Sequence, residues 1–478
     1  MALVLGAAFG PRATQVEVRD ADSGALVATG SARHQDLGPS VDDPTAWWRS
    51  LTSAVGQTGQ REIAAISVSG GHPGLVLLDG AGAVLHTRPW SDAEAATDAA
   101  RLRSSLGADR WARRVGALPG PGTAVSRLAW LRRTDPDTFG RIGAALLPHD
   151  WLTYRLAGRM VTDRGGASLT GAWSPVAEGW LAEVLDQLTP ADASSDWWRD
   201  RLPDVLDPSE RADWLDAPVY ELLGLRGRPL VAPGTGEAMA VALSLGVIPG
   251  RVAISLGAST TVLAGLERPL TDPTGAVRSR ADATGCYLGV STAPGGATLI
   301  EIVRDLFELD GDALSAAALT TEPRTDGLVL VPGVDGRAGA VLTGLTPGIT
   351  RAEVVRAGFD GVACAALDAL DLVVGAGAPW DDDEPIRLAA PAADIDVHAQ
   401  VLADLADRPV QPAPGVSLSA AGACIQAAAV LHEEDPAAVG AAWDLGGDTW
   451  VEPAHDPTRT ARRIAHAQER TRQAEAAR

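Results

Sequence analysis

The sequence predicts an α/β protein of two or three domains in which one strand–turn–strand unit occurs twice. The chain has 478 residues, of which 46% are hydrophobic, enough to form cores in domains of ~100–200 residues. Apolar runs around small-residue turns at 3–28 and again at 252–264 each predict a hairpin. Residues 230–245 fit a strand, a glycine turn and a helix. The repeated hairpin suggests a duplicated domain.

The elements between the two hairpins follow from hydrophobic periodicity and turn residues. Two strands are expected at 63–69 and 74–78, on either side of a Gly-Gly-His-Pro turn. Apolar residues at helical spacing predict a helix over 92–106, and residues 145–156 fit a strand that runs into a helix. The glycine turn at 233–236 would expose backbone N–H groups at the start of a helix, which favours a bound anion.

Two residue types are missing from the chain, and their absence excludes several mechanisms. All 40 basic residues are Arg, so the chain has no Walker-A lysine, no Schiff-base lysine and no attachment point for pyridoxal phosphate. Asparagine is also absent, which leaves no N-glycosylation site. The net charge of −21 argues against binding of a phosphate backbone, so nucleic acid is not an expected partner.

The cysteines and the apolar runs predict a cytoplasmic protein without a membrane partner. Cys286, Cys364 and Cys424 lie far apart among apolar or small residues, which is typical of buried thiols and not of a disulfide framework or a zinc site. The N-terminus lacks the basic segment of a signal peptide. No apolar run approaches the ~20 residues that cross a bilayer.

Eight short motifs follow one another in a fixed order over nearly the whole chain. They are Leu3-Val4-Leu5-Gly6, Ser67-Val68-Ser69-Gly70, Trp90-x-Asp92, Leu128-Ala129-Trp130-Leu131, Pro148-His149-Asp150-Trp151-Leu152, Pro233-Gly234-Thr235-Gly236, Ser255-Leu256-Gly257 and Gly327-Leu328-Val329-Leu330-Val331-Pro332. This succession resembles the FGGY carbohydrate kinases, and xylulokinases in particular. A segment at 340–360 is similar to the C-terminal signature of that family, with one position displaced.

The resemblance implies two actin-like, ribonuclease-H-like domains that flank a central cleft, with the sugar on the N-terminal side and ATP on the C-terminal side. It places an N-terminal FGGY domain at 1–246, a C-terminal FGGY domain at 247–455 and an Arg-rich tail at 456–478, which we expect to be a solvated helix. Such kinases need a carboxylate base, Mg²⁺ held by carboxylates, and glycine or Ser/Thr turns around the phosphates. A homodimer is consistent with the same resemblance.

The carboxylates that the resemblance leads us to expect are altered at two positions. Ala8 stands where the first turn of the family contains an aspartate, and Arg12 in that turn is either a phosphate contact or a solvent-facing residue. Glu237 stands where the family has its catalytic aspartate. A misplacement of ~1 Å can cost on the order of a hundredfold in rate. Glu237 is therefore either a weakened base or an acidic residue that simply favours a helix N-terminus.

The sugar motif is altered as well. The resemblance makes His72, Trp90 and Asp92 the candidate substrate-binding residues. His72 lies one position early, where a surface turn histidine is the alternative. Asp92 is also a natural helix N-cap, so its presence has a structural explanation.

The nucleotide motifs have changed in a similar way. Gly257 and Ser259 are the candidate nucleotide-binding residues, in a turn whose last glycine has become Thr260. A β-branched residue disfavours any left-handed conformation at that place. The adenosine-side Gly-Gly-Gly-Ala turn corresponds to residues 390–393, where Pro391 removes a backbone donor.

Site positions have changed while scaffold motifs remain, and drift without constraint would have damaged both. The sequence therefore favours a xylulokinase-like pseudokinase, for which ATP and Mg²⁺ are implied by resemblance although the altered motifs argue against their binding. No metal ligand is predicted. Two alternatives stay open: an active ATP-dependent pentulose or polyol kinase of altered or weak activity with Glu237 as base, and a regulatory or binding partner of an intact kinase. A carboxylate from elsewhere, such as Asp163, that filled the gap at Ala8 would favour activity.

Overall fold

The computed structural model consists of alternating strands and helices, which confirms the α/β class. It describes residues 2–38, 43–70, 74–89, 93–190, 193–333, 339–413, 415, 417–447 and 449–476. The chain forms two compact units: unit 1 is Met1–Gly246, Glu267–Leu288 and Ser417–Leu445, and unit 2 is Val247–Leu266, Gly289–Val416 and Gly446–Arg478. The chain thus leaves unit 1 and returns to it twice. The division into domains at 1–246, 247–455 and 456–478 stays a prediction.

The bounds of the elements agree with the main sequence expectations. The strands are β1 (Leu3–Phe9), β2 (Ala13–Asp20), β3 (Leu26–Arg33), β4 (Ala65–Gly70), β5 (Gly74–Asp79), β6 (Val84–Pro89), β7 (Ile142–Leu146), β8 (Val161–Asp163), β9 (Trp173–Ser174), β10 (Gly179–Trp180), β11 (Asp204–Leu206), β12 (Asp213–Trp214), β13 (Leu230–Val231), β14 (Thr235–Gly236), β15 (Val252–Leu256), β16 (Thr260–Leu266), β17 (Arg278–Ala281), β18 (Tyr287–Ala293), β19 (Val329–Pro332), β20 (Ala340–Thr343), β21 (Ile386–Ala389) and β22 (Val410–Pro412). Both predicted hairpins are present.

The helices alternate with these strands. They are α1 (Pro44–Gln57), α2 (Ala96–Leu106), α3 (Ala108–Val115), α4 (Ala124–Thr134), α5 (Pro136–Gly140), α6 (Pro148–Ala157), α7 (Arg164–Leu169), α8 (Ala182–Leu185), α9 (Ala217–Leu222), α10 (Glu237–Ser244), α11 (Ala297–Leu306), α12 (Gly311–Thr320), α13 (Arg351–Gly375), α14 (Ile395–Ala406), α15 (Leu418–His432), α16 (Pro436–Trp443) and α17 (Arg459–Ala476). In the described part of the chain, none of them combines the length and the apolar composition that a membrane-spanning helix needs.

The central sheet of unit 1 has the strand order β12-β13-β4-β1-β2-β3, and β14 also pairs with β4. β1 is antiparallel to β2 and parallel to β4. Helix α15 lies directly against β1, because a Cβ atom on Gly6 would be 2.0 Å from the Ala420 carbonyl oxygen. Only glycine allows the strand and the helix backbone to approach so closely.

Unit 2 has the same local topology around its own hairpin. Its sheet contains the strands β18-β16-β15-β21-β22 in that order. β15 is antiparallel to β16 and parallel to β21, as β1 is to β2 and β4. The hairpin repeated in the sequence therefore corresponds to a hairpin-plus-parallel-strand arrangement in each unit.

The Arg-rich tail is not the solvated helix expected from its composition, because one face of α17 packs against α13 within unit 2. Arg462 is buried, with Nη1 2.7 Å from Asp360 Oδ1 and Nη2 paired with Asp456. His466, one helical turn further on, is also buried. Composition alone could not reveal this, since the carboxylate of Asp360 lies about a hundred positions away in the sequence.

Replacing Arg462 by Gln should destabilise the protein by roughly 3–5 kcal/mol, because removal of one partner leaves the other charge of a buried pair uncompensated. The matched control is Arg113→Gln on α3, since Arg113 and its partner Asp109 are both exposed and such pairs contribute ~0–1 kcal/mol. Urea unfolding measures both variants. A loss as small as that of the control would mean that packing alone holds α17.

Candidate functional site

Three strand ends lie side by side in unit 1 and bring the altered positions together. The register pairs Ala8 of β1 with Ser69 of β4, and Ser69 with Thr235 of β14. One residue further, Gly236 ends β14, and Glu237 begins α10. Ligands of open α/β sheets bind outside the carboxyl ends of the strands. This edge is therefore the candidate site of unit 1, and Ala8 contributes only a methyl group to it.

The loop between β1 and β2 is closed by its own hydrogen bonds. The Gly10 N–H donates to the Ala13 carbonyl (3.0 Å), and the His34 N–H donates to the Arg12 carbonyl (2.9 Å). The buried His34 ring places Nε2 2.9 Å from the Gly10 carbonyl and Nδ1 2.9 Å from Ser50 Oγ. Because a carbonyl only accepts, we assign the proton to Nε2. Burial lowers the pKa of His34, which favours this neutral form, and the Arg12 side chain is exposed.

The turn before Glu237 is fixed by a buried glutamine that the sequence did not single out. Gln426 of α15 accepts a hydrogen bond from Ser67 Oγ (2.6 Å) and donates from Nε2 to the Gly234 carbonyl (3.2 Å). Gly234 has φ +79°, and a Cβ atom there would lie 2.8 Å from the Val68 carbonyl oxygen. The turn therefore requires glycine, and its conformation sets the position of Glu237.

Glu237 combines solvent access with a perturbed acidity. Its side chain is exposed at the first position of α10. The surrounding protein nevertheless desolvates the carboxyl group and raises its pKa. A carboxylate with these two properties can accept a proton from a ligand hydroxyl.

Two further carboxylates lie near this turn, but both are buried and serve as helix starts. Asp163 Oδ1 accepts the Gly166 N–H at 2.6 Å as the N-cap of α7, and Asp150 Oδ2 accepts the Leu147 N–H at 3.1 Å at the start of α6. Burial raises the pKa of each carboxyl to about 7. Asp163 therefore does not supply the free carboxylate that would compensate for Ala8.

The candidate sugar contacts cannot be assigned from the structure. His72, Trp90 and Asp92 lie outside the described residues. Their roles stay predictions from the family resemblance.

The candidate nucleotide contacts Gly257 and Ser259 lie in the exposed turn between β15 and β16 of unit 2. The Gly257 N–H donates to the Ser259 carbonyl (3.1 Å), and the Gly257 carbonyl accepts the Ala297 N–H (2.9 Å). Gly296 packs on the same turn, where a Cβ atom would be 2.6 Å from the Gly257 carbonyl oxygen. The turn is thus closed on itself.

The turn at 390–393 follows β21 at the same sheet edge, because Ala389 pairs with Ser255 of β15. Its Pro391 carbonyl accepts the Asp394 N–H at 3.1 Å. The buried Asp394 carboxylate lies 2.5 Å from Arg304 Nη2. This part of unit 2 therefore buries a carboxylate beside the altered turn.

The residues present do not fit ATP with Mg²⁺ as the resemblance would have it bound. The N–H groups of Gly10 and Gly257 donate within their own turns and are not directed to phosphate oxygens. Ala8 offers no ligand to a cation. Over the residues that the structure describes, no group of three or more His, Cys, Asp and Glu side chains is arranged to hold a metal ion.

Gly234→Ala should destabilise the protein by about 2 kcal/mol or more, because the left-handed φ costs an L-residue ~1–2 kcal/mol and the new Cβ meets the Val68 carbonyl. Gly224→Ala is the matched control: Gly224 has φ +68°, and nothing lies within 4 Å of a Cβ there. Thermal unfolding of both variants isolates the contact from the backbone strain. Equal losses would contradict a tight turn at Gly234.

Asp163→Asn should stabilise the protein more at pH 8 than at pH 5, by about 2 kcal/mol. The native pKa of Asp163 is about 7 against 3.8 for an unperturbed carboxyl, so the native state holds this proton more tightly than the unfolded state. Stability from this group is therefore present at low pH and falls as pH rises from about 4 to about 7. Asparagine keeps the N-cap acceptor without the charge.

The control is Asp310→Asn, the same change at the exposed N-cap of α12, where Asp310 Oδ1 accepts the Ala313 N–H at 2.8 Å. Urea unfolding at several pH values measures both variants against the unmodified protein. A pH-independent difference at Asp163 would mean that its carboxyl ionises normally in the native state.

Comparison with known proteins agrees with the resemblance. The model of the FGGY family of carbohydrate kinases, N-terminal domain, matches residues 14–244. Xylulose kinases of Streptomyces rubiginosus and Streptomyces coelicolor are each 36% identical over 480 residues, covering 97% of this chain and 95% of theirs. The crystal structure of xylulose kinase from Bifidobacterium adolescentis is 30% identical with a TM-score of 0.80, covering 98% of this chain and 99% of that one. The chain therefore belongs to the FGGY family of carbohydrate kinases and has its two-domain, actin-like fold.

Proposed function

We propose that this protein is a xylulokinase-like pseudokinase, which keeps the fold of a sugar kinase but does not transfer a phosphoryl group from ATP. The observation that carries the proposal is the register at the strand ends, where Ala8 stands opposite Ser69 and Ser69 opposite Thr235. A methyl group occupies the place where the family's first turn supplies a carboxylate. The nearby carboxyl of Asp163 is buried and caps a helix.

The phosphate turns support the same proposal. Phosphoryl transfer depends on positioned donors and on neutralisation of the phosphate charge. Gly10 and Gly257 use their N–H groups to close their own turns, so neither is presented to a phosphate. Losses at the carboxylate and at both turns should combine, because the remaining groups cannot position a nucleotide alone.

A sugar or polyol remains the proposed ligand of unit 1. The curated relatives are named xylulose kinase, and the retained Trp90 and Asp92 belong to the family's sugar motif. We place the protein in the cytoplasm on the grounds given by its sequence.

A second candidate function is a weak ATP-dependent kinase for pentuloses or polyols with Glu237 as base. The exposed side chain and the raised pKa of Glu237 favour it, because both suit a group that accepts a hydroxyl proton.

The test is ADP release by the purified protein with ATP, Mg²⁺ and a panel of pentuloses, pentoses and polyols. We expect ADP release at the sugar-free background, unchanged in Glu237→Ala. Release above background that Glu237→Ala abolishes would overturn the pseudokinase proposal and establish the second candidate. Glu221→Ala, at an exposed glutamate of α9, is the matched control and should have no effect.

Thermal unfolding with ATP·Mg²⁺ separates lost binding from lost chemistry. A ligand at a hundred times its Kd adds about 2.7 kcal/mol to the free energy of unfolding. We expect no rise in Tm at millimolar nucleotide. A clear rise would contradict the loss of the nucleotide site.

A further inference from the structure

A cavity of about 470 Å³ lies between α2 and α4 of unit 1, and none of the residues of the strand-end site lines it. Its walls are formed by Asp98, Arg101, Leu102, Ser105, Ala129, Arg132, Arg133 and Gln187. All of these residues belong to the range 93–190, which the structure describes without a gap.

The cavity reverses the charge of the rest of the molecule. Three arginines face one aspartate in its walls, in a chain of net charge −21. The side chains of Arg101 and Arg133 are 65% and 43% exposed, so their guanidinium groups remain accessible to solvent. A concave wall of one sign concentrates counter-ions, here anions.

Asp98 orients Arg133 without using all of its donors. Arg133 Nε lies 3.0 Å from Asp98 Oδ1, and Nη2 lies 2.8 Å from Oδ2. A guanidinium has five N–H donors, so this bidentate pair leaves three available. Arg101 Nη1 is 3.6 Å from the same carboxylate. One buried acid therefore holds two arginines at the cavity.

Gln187 fixes the opposite wall. Its backbone carbonyl accepts a hydrogen bond from Arg132 Nη1 at 2.6 Å. Its side-chain oxygen lies 2.6 Å from Ser105 Oγ, and its Nε2 donates to the Glu183 carbonyl at 2.9 Å. The amide of Gln187 is thus engaged within the protein, which leaves guanidinium N–H groups as the donors for a ligand.

We propose that this cavity binds a small phosphate-bearing anion, either inorganic phosphate or a sugar phosphate monoester. Planar guanidinium groups match the oxygens of a phosphate, and a dianion matches the excess of arginine over aspartate. The apolar side chains of Leu102 and Ala129 and the volume of the cavity leave room for the carbon skeleton of a small sugar. The proposal is independent of whether Glu237 acts as a base.

The test is calorimetric titration of the full chain with inorganic phosphate, with ribose 5-phosphate and with uncharged ribose, at constant ionic strength. We expect binding of the phosphate probes and none of ribose at this site. Arg101→Gln should weaken binding roughly tenfold, because it removes one charge-assisted contact while the Asp98–Arg133 pair remains. Tighter binding of ribose 5-phosphate than of phosphate would identify a monoester site, and equal binding a phosphate site.

Arg103→Gln is the matched control, since Arg103 lies on the same helix, is exposed and does not line the cavity. It should leave the affinity unchanged. Failure of the unmodified protein to bind either phosphate probe would overturn the proposal. So would an equal loss of affinity in the two variants, which would indicate a general charge effect.

Discussion

The close contact between α15 and the central strands is the constraint on which unit 1 depends. Gly6 lets β1 approach the Ala420 carbonyl, and Gly422 lets α15 approach α10, where a Cβ atom would lie 2.0 Å from the Ala240 carbonyl oxygen. Gln426, on the same helix, then reaches Ser67 and the Gly234 turn. Any side chain at these glycines would separate the helix from the sheet and release the turn.

This arrangement explains how the chain can lose catalytic groups and keep the fold. The turn before Glu237 is held by backbone geometry and by a neutral amide, and neither depends on a carboxylate at position 8. Placing a charge at the buried Ala8 would carry a desolvation cost unless a cation compensated it. Once the metal role is gone, alanine is the more stable choice, in line with the trade-off between stability and active-site chemistry.

The sequence could predict what is local and what is shared with a family. Alternating apolar residues located both hairpins, and ordered motifs identified the FGGY kinases. Long-range side-chain partners carried no such signal: Gln426 and Gly234 are 192 positions apart, and Asp360 is remote from Arg462. The Arg-rich tail was therefore misread as solvated. The burial of Asp163 was likewise beyond reach, since it depends on how α7 packs.

The path of the chain also orders events in time. Unit 1 contains the first strand and the segment Ser417–Leu445, so the ribosome starts this unit first and supplies its last helix near the end. At ~5–20 residues per second, tens of seconds separate β1 from α15. During that interval the face of the sheet that α15 later covers is open to other apolar surfaces. A nascent chain of this protein is thus a natural client for a chaperone until α15 docks.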